Sequence, residues 1–153
     1  MGRKMNNGSG KEILFRAKRK GWQKSDKTEW IYGFYFCLHH NDGRTHMHHF
    51  MIPLNADLSK DRKIGEIQVE IDPNTLCQYT EQTDRNDTRI YEKDICIIIG
   101  AEEDGHFTIE WDNNTARYII SGMGIVVDFD NYYGNELVIV GNAFDNGELL
   151  GVV

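Results

Sequence analysis

Runs of β-branched and aromatic residues recur along the chain, short and closely spaced, and clusters of Gly, Asn and Asp separate them. This spacing predicts strands joined by tight turns. Strands are expected over residues 12–17, 30–39, 45–53, 66–71, 94–99, 106–111, 116–121, 124–129 and 136–140. Phe107, Ile109 and Trp111 alternate with Thr108 and Glu110, the period of a strand with one buried and one wet face. The run Ile95-Cys96-Ile97-Ile98-Ile99 has no polar position and predicts a central strand covered on both faces. Burial of its isoleucines would contribute about 1.5–3 kcal/mol each before the entropy cost. Asn41-Asp42-Gly43 is the strongest hairpin signal, and Asp104-Gly105 is a second. Asp72 as N-cap and Pro73 at the first helical position predict one short helix running toward Tyr79. The polar stretch from Thr80 to Arg89 reads as an exposed loop that divides the chain.

The expected fold is therefore mainly β, with short antiparallel strands, a small SH3-like barrel in the C-terminal half and at most one short helix. Residues 1–10 are expected to be a flexible lead-in and 11–153 a single domain, divisible into lobes 11–72 and 90–141 linked by 73–89.

The chain has 153 residues, 40% of them hydrophobic and 27% charged, which suits one ordinary domain with a buried core. No run approaches the roughly 18 apolar residues of a membrane span, and the basic N-terminus has no apolar stretch behind it. Three irregularly spaced cysteines (Cys37, Cys77, Cys96) argue against a disulfide framework, so a cytoplasmic location and no membrane partner are expected. Charge is asymmetric. Residues 1–27 hold nine of the 17 Lys/Arg and two of the 24 acids, a formal +7, which leaves −14 on the remainder. The basic end reads first as a solvated edge. Two sharper readings compete: a nucleic-acid arm in which Phe15 and Trp22 interleave with bases, or a basic strand that docks on the acidic face of another copy.

Five of the six histidines lie between His39 and His49. A two-residue turn at Asp42-Gly43 would set His39 opposite His46 and Cys37 opposite His48. All four would then share one face, with Phe36, Leu38 and Met47 on the other, directed to the core. Opposed Cβ atoms about 4.5–5.5 Å apart could then converge on one zinc ion. The competing reading is a polar face on a protruding hairpin, and it is preferred: no metal, cofactor or catalytic residue is assigned. The signatures of phosphate-binding loops, serine hydrolases, zinc proteases and dinucleotide folds are missing. Asp128/Asp130 and Glu102/Glu103/Asp104 sit beside turns, where acids are common, and His106 follows a hairpin turn.

The segment EIDPNTLCQYTEQTDRNDTRIYEKDIC (70–96) and the closing ELVIVGNAFDNGELL (136–150) resemble the YopX-like protein family of phages and prophages. The matching positions are Asp72, Pro73, Thr75, Gln78, Tyr79, Thr80, Ile90, Tyr91, Glu92, Asp94, Ile95, Gly141, Asn142, Asn146, Glu148, Leu149 and Leu150. Phe15-Arg16-Ala17-Lys18 and Trp30-Ile31-Tyr32-Gly33 are similar to the family's opening. Departures fall at turns: Glu81 and Lys93 stand where the family has Gly, Asp87 replaces the second residue of an Asn-Gly turn, and Gly147 replaces Pro. Asp87 and Lys93 are expected to adopt negative φ. The resemblance implies a phage or prophage accessory protein of unassigned role that self-assembles, with a host or phage protein as a further partner, and it carries no catalytic residues. The shared positions read as fold-specifying. Binding rather than catalysis is expected, with Trp22, Trp30, Tyr132 and Tyr133 as aromatic anchors.

Overall fold

The structure is a computed structural model and describes residues 11–25, 29–39, 46–57, 59, 62–129 and 135–151. The expected lead-in, residues 1–10, lies outside the described residues. In chain order the elements are β1 (Phe15–Lys18), β2 (Trp30–His39), β3 (Met47–Pro53), α1 (Ile64–Ile67), β4 (Val69–Glu70), β5 (Cys77–Thr83) and β6 (Arg89–Tyr91). Then follow β7 (Asp94–Ile98), β8 (Phe107–Asp112), β9 (Arg117–Gly122), β10 (Ile125–Asp128) and β11 (Leu137–Asn142). Two antiparallel sheets result, ordered β4-β3-β2-β1-β5-β6 and β10-β9-β8-β7-β11. The expected SH3-like barrel is matched in its five strands, but their pairings form an open ladder with β10 and β11 at its edges.

The second sheet carries the core. Cys96, Phe107, Ile109, Ile120 and Leu137 are fully buried around Ile90 of the first sheet. Each large aliphatic or aromatic side chain there contributes about 1.5–3 kcal/mol. In β8 Phe107 and Ile109 are buried as expected, but Thr108 between them is buried too and Trp111 at the end is exposed, so one wet face does not run the length of the strand. The aliphatic run of β7 is deeply buried only through Cys96; Ile97, Ile98 and Ile99 are half-buried, so the strand is covered on both faces only over its first half.

The largest correction concerns residues 73–89. Pro73–Thr75 forms a single 3-10 turn with the Asp72 side chain accepting from the Asn74 N–H, as the N-cap chemistry requires. From Cys77 on, the chain is strand; of the expected exposed loop only the turn after Asp84 is loop, with residues 85–89 exposed, and β5 and β6 form a hairpin. Asp84 is the reason. It is nearly fully buried; Oδ1 accepts from the N–H groups of Asn86 and Thr88, and Oδ2 accepts from the Ile139 N–H of β11 at 2.9 Å. One carboxylate that satisfies both its own turn and an open edge of the second sheet can be buried, while Arg85 to Thr88 at the tip beyond it stay exposed. Residues 66–71 likewise split into the end of α1, a two-residue strand and a bridge from Ile71 to Arg19.

Candidate functional site

The period of two along β1 sends Arg16 and Lys18 to one face, and that face meets the second sheet and the turn after β11. Arg16 pairs with the buried Asp94 at 2.7 Å, donates to the Glu92 carbonyl, and lies over the Trp30 and Tyr91 rings at 4.4 and 5.0 Å. Lys18 is 0% exposed; its Nζ meets Asp145 Oδ1 and sits 4.8 Å from both the Trp22 and Trp30 rings. The indole N–H groups are engaged too. Trp22 donates to Asp72 and Trp30 to Asp145, so neither is a free aromatic anchor; Tyr132 and Tyr133 lie outside the described residues.

The electrostatics follow from burial. Desolvation pushes the Asp94 carboxyl up to about 6 against the pull of Arg16. For Asp145, burial pulls upward, but hydrogen bonds from Lys18, Asn142 and Trp30 outweigh it and hold the group below the ordinary aspartate value. The arrangement is a cation–aromatic–carboxylate seam that clips β1 to the second sheet. A nucleic-acid arm built on residues 11–27 therefore loses its two central cations; Arg19, Lys20 and Lys24 remain exposed, and Lys20 pairs with Glu70 at 3.1 Å.

The residues of the suggested zinc site do not come together. β2 and β3 pair so that Cys37 faces His49, Leu38 faces His48 and His39 faces Met47, one position away from the expected register. One residue more in the loop turns His48 to the opposite face from Cys37 and His39. The loop itself, residues 40–45, lies outside the described residues, and His46 precedes β3 on the exposed side. Among the described residues no three His, Cys, Asp or Glu side chains are grouped to hold a metal. The carboxylate pairs have local explanations: Asp128 pairs with Arg117 at 2.9 Å, and Glu102 accepts from the Gly100 N–H. Asp130 lies outside the described residues, and His106 is half-buried.

The same register exposes a feature the sequence reading missed. Tyr32, Phe34, Phe36 and Leu38 of β2 share a face with His48, Phe50 and Ile52 of β3. This face was expected to enter the core, yet Tyr32 is 41%, Phe34 52% and Leu38 52% exposed. Phe36 and Phe50 stack with centroids 5.5 Å apart, and His48 stacks on Phe50. The other face, with Met51 fully buried among Phe15, Ile31 and Tyr35, supplies the covered side. The available signal was that β2 is apolar at both odd and even positions, a pattern that suits two covered faces when only one is covered here.

The family-matching residues serve the scaffold. Thr75 Oγ1 accepts from the Lys18 N–H, Glu92 accepts from the Gln78 N–H, and Thr80 donates to the Ile90 carbonyl. Asn142 accepts from the Phe144 and Asp145 N–H groups and Asn146 from the Asn142 N–H, a turn that presents Asp145 to Lys18. Gly33 lies where an added Cβ would meet the Ile52 carbonyl oxygen at 1.9 Å, which excludes any larger residue. No helix among the described residues is long and apolar enough to cross a membrane. Comparison with curated proteins finds no match. The model of the family described as YopX protein matches residues 14–151, which takes in the seam, both sheets and the closing turn, and the chain belongs to the YopX family.

Proposed function

We propose that this YopX-family chain is a phage- or prophage-type accessory protein that acts by binding rather than catalysis, and that its open β2–β3 face is where a second copy docks. The observation that carries the reading is the row Tyr32, Phe34 and Leu38, exposed around a half-buried Phe36 on a sheet whose other face is packed. Contiguous apolar exposure of this kind is characteristic of interaction surfaces, and aromatic residues supply most of the energy of such contacts. Charge favours a like partner: the strongly basic first 27 residues and the −14 of the remainder complement each other between copies. Arg16 and Lys18, the two central cations of the basic end, are already committed within the fold, which weighs against nucleic acid as the principal ligand.

Sedimentation velocity on reduced protein at low micromolar concentration, at low and high salt, tests this. A species larger than 17.7 kDa that Phe34→Glu converts to the monomer is expected. Only the monomer at both salts overturns the reading. A gel shift with single- and double-stranded probes at two salt concentrations tests the nucleic-acid alternative, in which binding would weaken steeply with salt.

A further inference from the structure

The register that dismantles the zinc site assembles a different set of donors on the opposite face of the hairpin from the aromatic row. We propose that Cys37, His49 and Met47 bind a soft monovalent metal ion of the copper(I) type. Cys37 and His49 are direct cross-strand partners, and Met47, opposite His39, lies two residues before His49 on the same face. Opposed Cβ atoms in such pairs lie about 4.5–5.5 Å apart, close enough for a thiolate and an imidazole to share one ion. A groove of about 330 Å³ opens beside Met47 and His49, lined also by Lys20, Glu70 and Ile71.

Two further observations make this more than a chance pairing. The Tyr35 hydroxyl lies 2.6 Å from His49 Nδ1, and the two rings stack at 5.9 Å with an 11° tilt. With Nδ1 held by Tyr35, Nε2 is the nitrogen left for a metal, and Tyr35 becomes a positioning residue. The donor set also discriminates among ions. A tetrahedral zinc site needs four ligands from a group that is not assembled among the described residues. Thiolate and thioether sulfur with one imidazole suits a soft ion that accepts two or three ligands. The remaining cysteines do not compete, since burial pushes the Cys77 and Cys96 thiols up to about 11 and about 12.

The test uses untagged, reduced full chain under anaerobic conditions, with copper(I) supplied as its coloured bicinchoninate complex. One equivalent is expected to pass to the protein, and X-ray absorption at the copper edge should show both sulfur and nitrogen neighbours. Cys37→Ser and His49→Ala should each weaken retention at least tenfold, and Tyr35→Phe about 10–100-fold. His48→Ala, on the aromatic face, should leave it unchanged. No transfer from the chelator, or a wild-type absorption spectrum without sulfur neighbours, overturns the proposal whatever the folding of the variants. Equal losses in His48→Ala and His49→Ala overturn it as well.

Discussion

Of the five non-glycine residues with positive φ among those described, three lie in the segment that matches the family: Glu81 at φ 68°, Asp87 at φ 61° and Lys93 at φ 65°. These are the positions where the sequence departs from the family's glycine-containing turns, and the expectation that Asp87 and Lys93 adopt negative φ is corrected here. The backbone has kept the glycine geometry under a non-glycine side chain, at a cost of about 1–2 kcal/mol each for residues other than Asn and Asp. Glu81→Gly and Lys93→Gly should therefore each raise stability, by about 1 kcal/mol after the flexibility glycine adds to the unfolded chain, as read by urea denaturation. The exposed Lys93–Glu110 pair lost in the second variant is worth little. Asp94 gives a pH prediction. Its folded value of about 6 exceeds the roughly 3.9 of an unfolded aspartate, so the folded state holds the extra proton between the two. Its contribution to stability is full below about pH 4 and fades as pH rises through 6, a change on the order of 3 kcal/mol. Carbon-13 detection of the Asp94 carboxyl should show a midpoint near 6; a midpoint below 4 would contradict the desolvated environment. Asp145, held low, has the opposite sense and loses its contribution as pH falls.

At the scale of elements, the β5–β6 hairpin tests the account best, because its tip is polar in sequence and anchored in structure. Removal of Asp84 leaves the N–H groups of Asn86, Thr88 and Ile139 without an acceptor, so Asp84→Ala should cost about 3 kcal/mol by thermal or urea unfolding. A cost below 1 kcal/mol would mean that the tip is not docked on β11. This hairpin also shows where sequence reasoning ends. Strand β2 is legible to the residue at both ends, and the five strands of the second sheet lie within two residues of their expected bounds, because side-chain alternation and turn residues are local signals. The Asp72-Pro73 turn is legible for the same reason. Docking of the hairpin TEQTDRNDTR through Asp84 depends on a carboxylate reaching a strand more than fifty residues away, which no local pattern encodes. The register of β2 against β3 was missed by one residue because it depends on loop length, and that single step exchanged the ligand face for the aromatic face.

Taken as a whole molecule, the chain joins its two sheets through a basic strand that composition alone would place in solvent. Lys18 is fully buried and faces Asp145, itself partly exposed, so Asp145→Asn should destabilise by about 3 kcal/mol by taking the carboxylate away from a buried ammonium. If calorimetry finds that variant as stable as the parent, the seam is not what clips the sheets together. Arg16 and Lys18 turn inward, and among the described residues two groups of exposed apolar side chains stand out: the β2–β3 face, and Trp111, Met123, Ile125 and Val126 around β10. The proposal assigns self-association to the first. Hydroxyl-radical footprinting of reduced protein at dilute and concentrated limits separates the two most directly. Phe34 and Leu38 should lose reactivity on concentration while Met123, 74% exposed, keeps it. Unchanged reactivity at Phe34 and Leu38, or protection confined to Met123 and Trp111, would contradict the assignment.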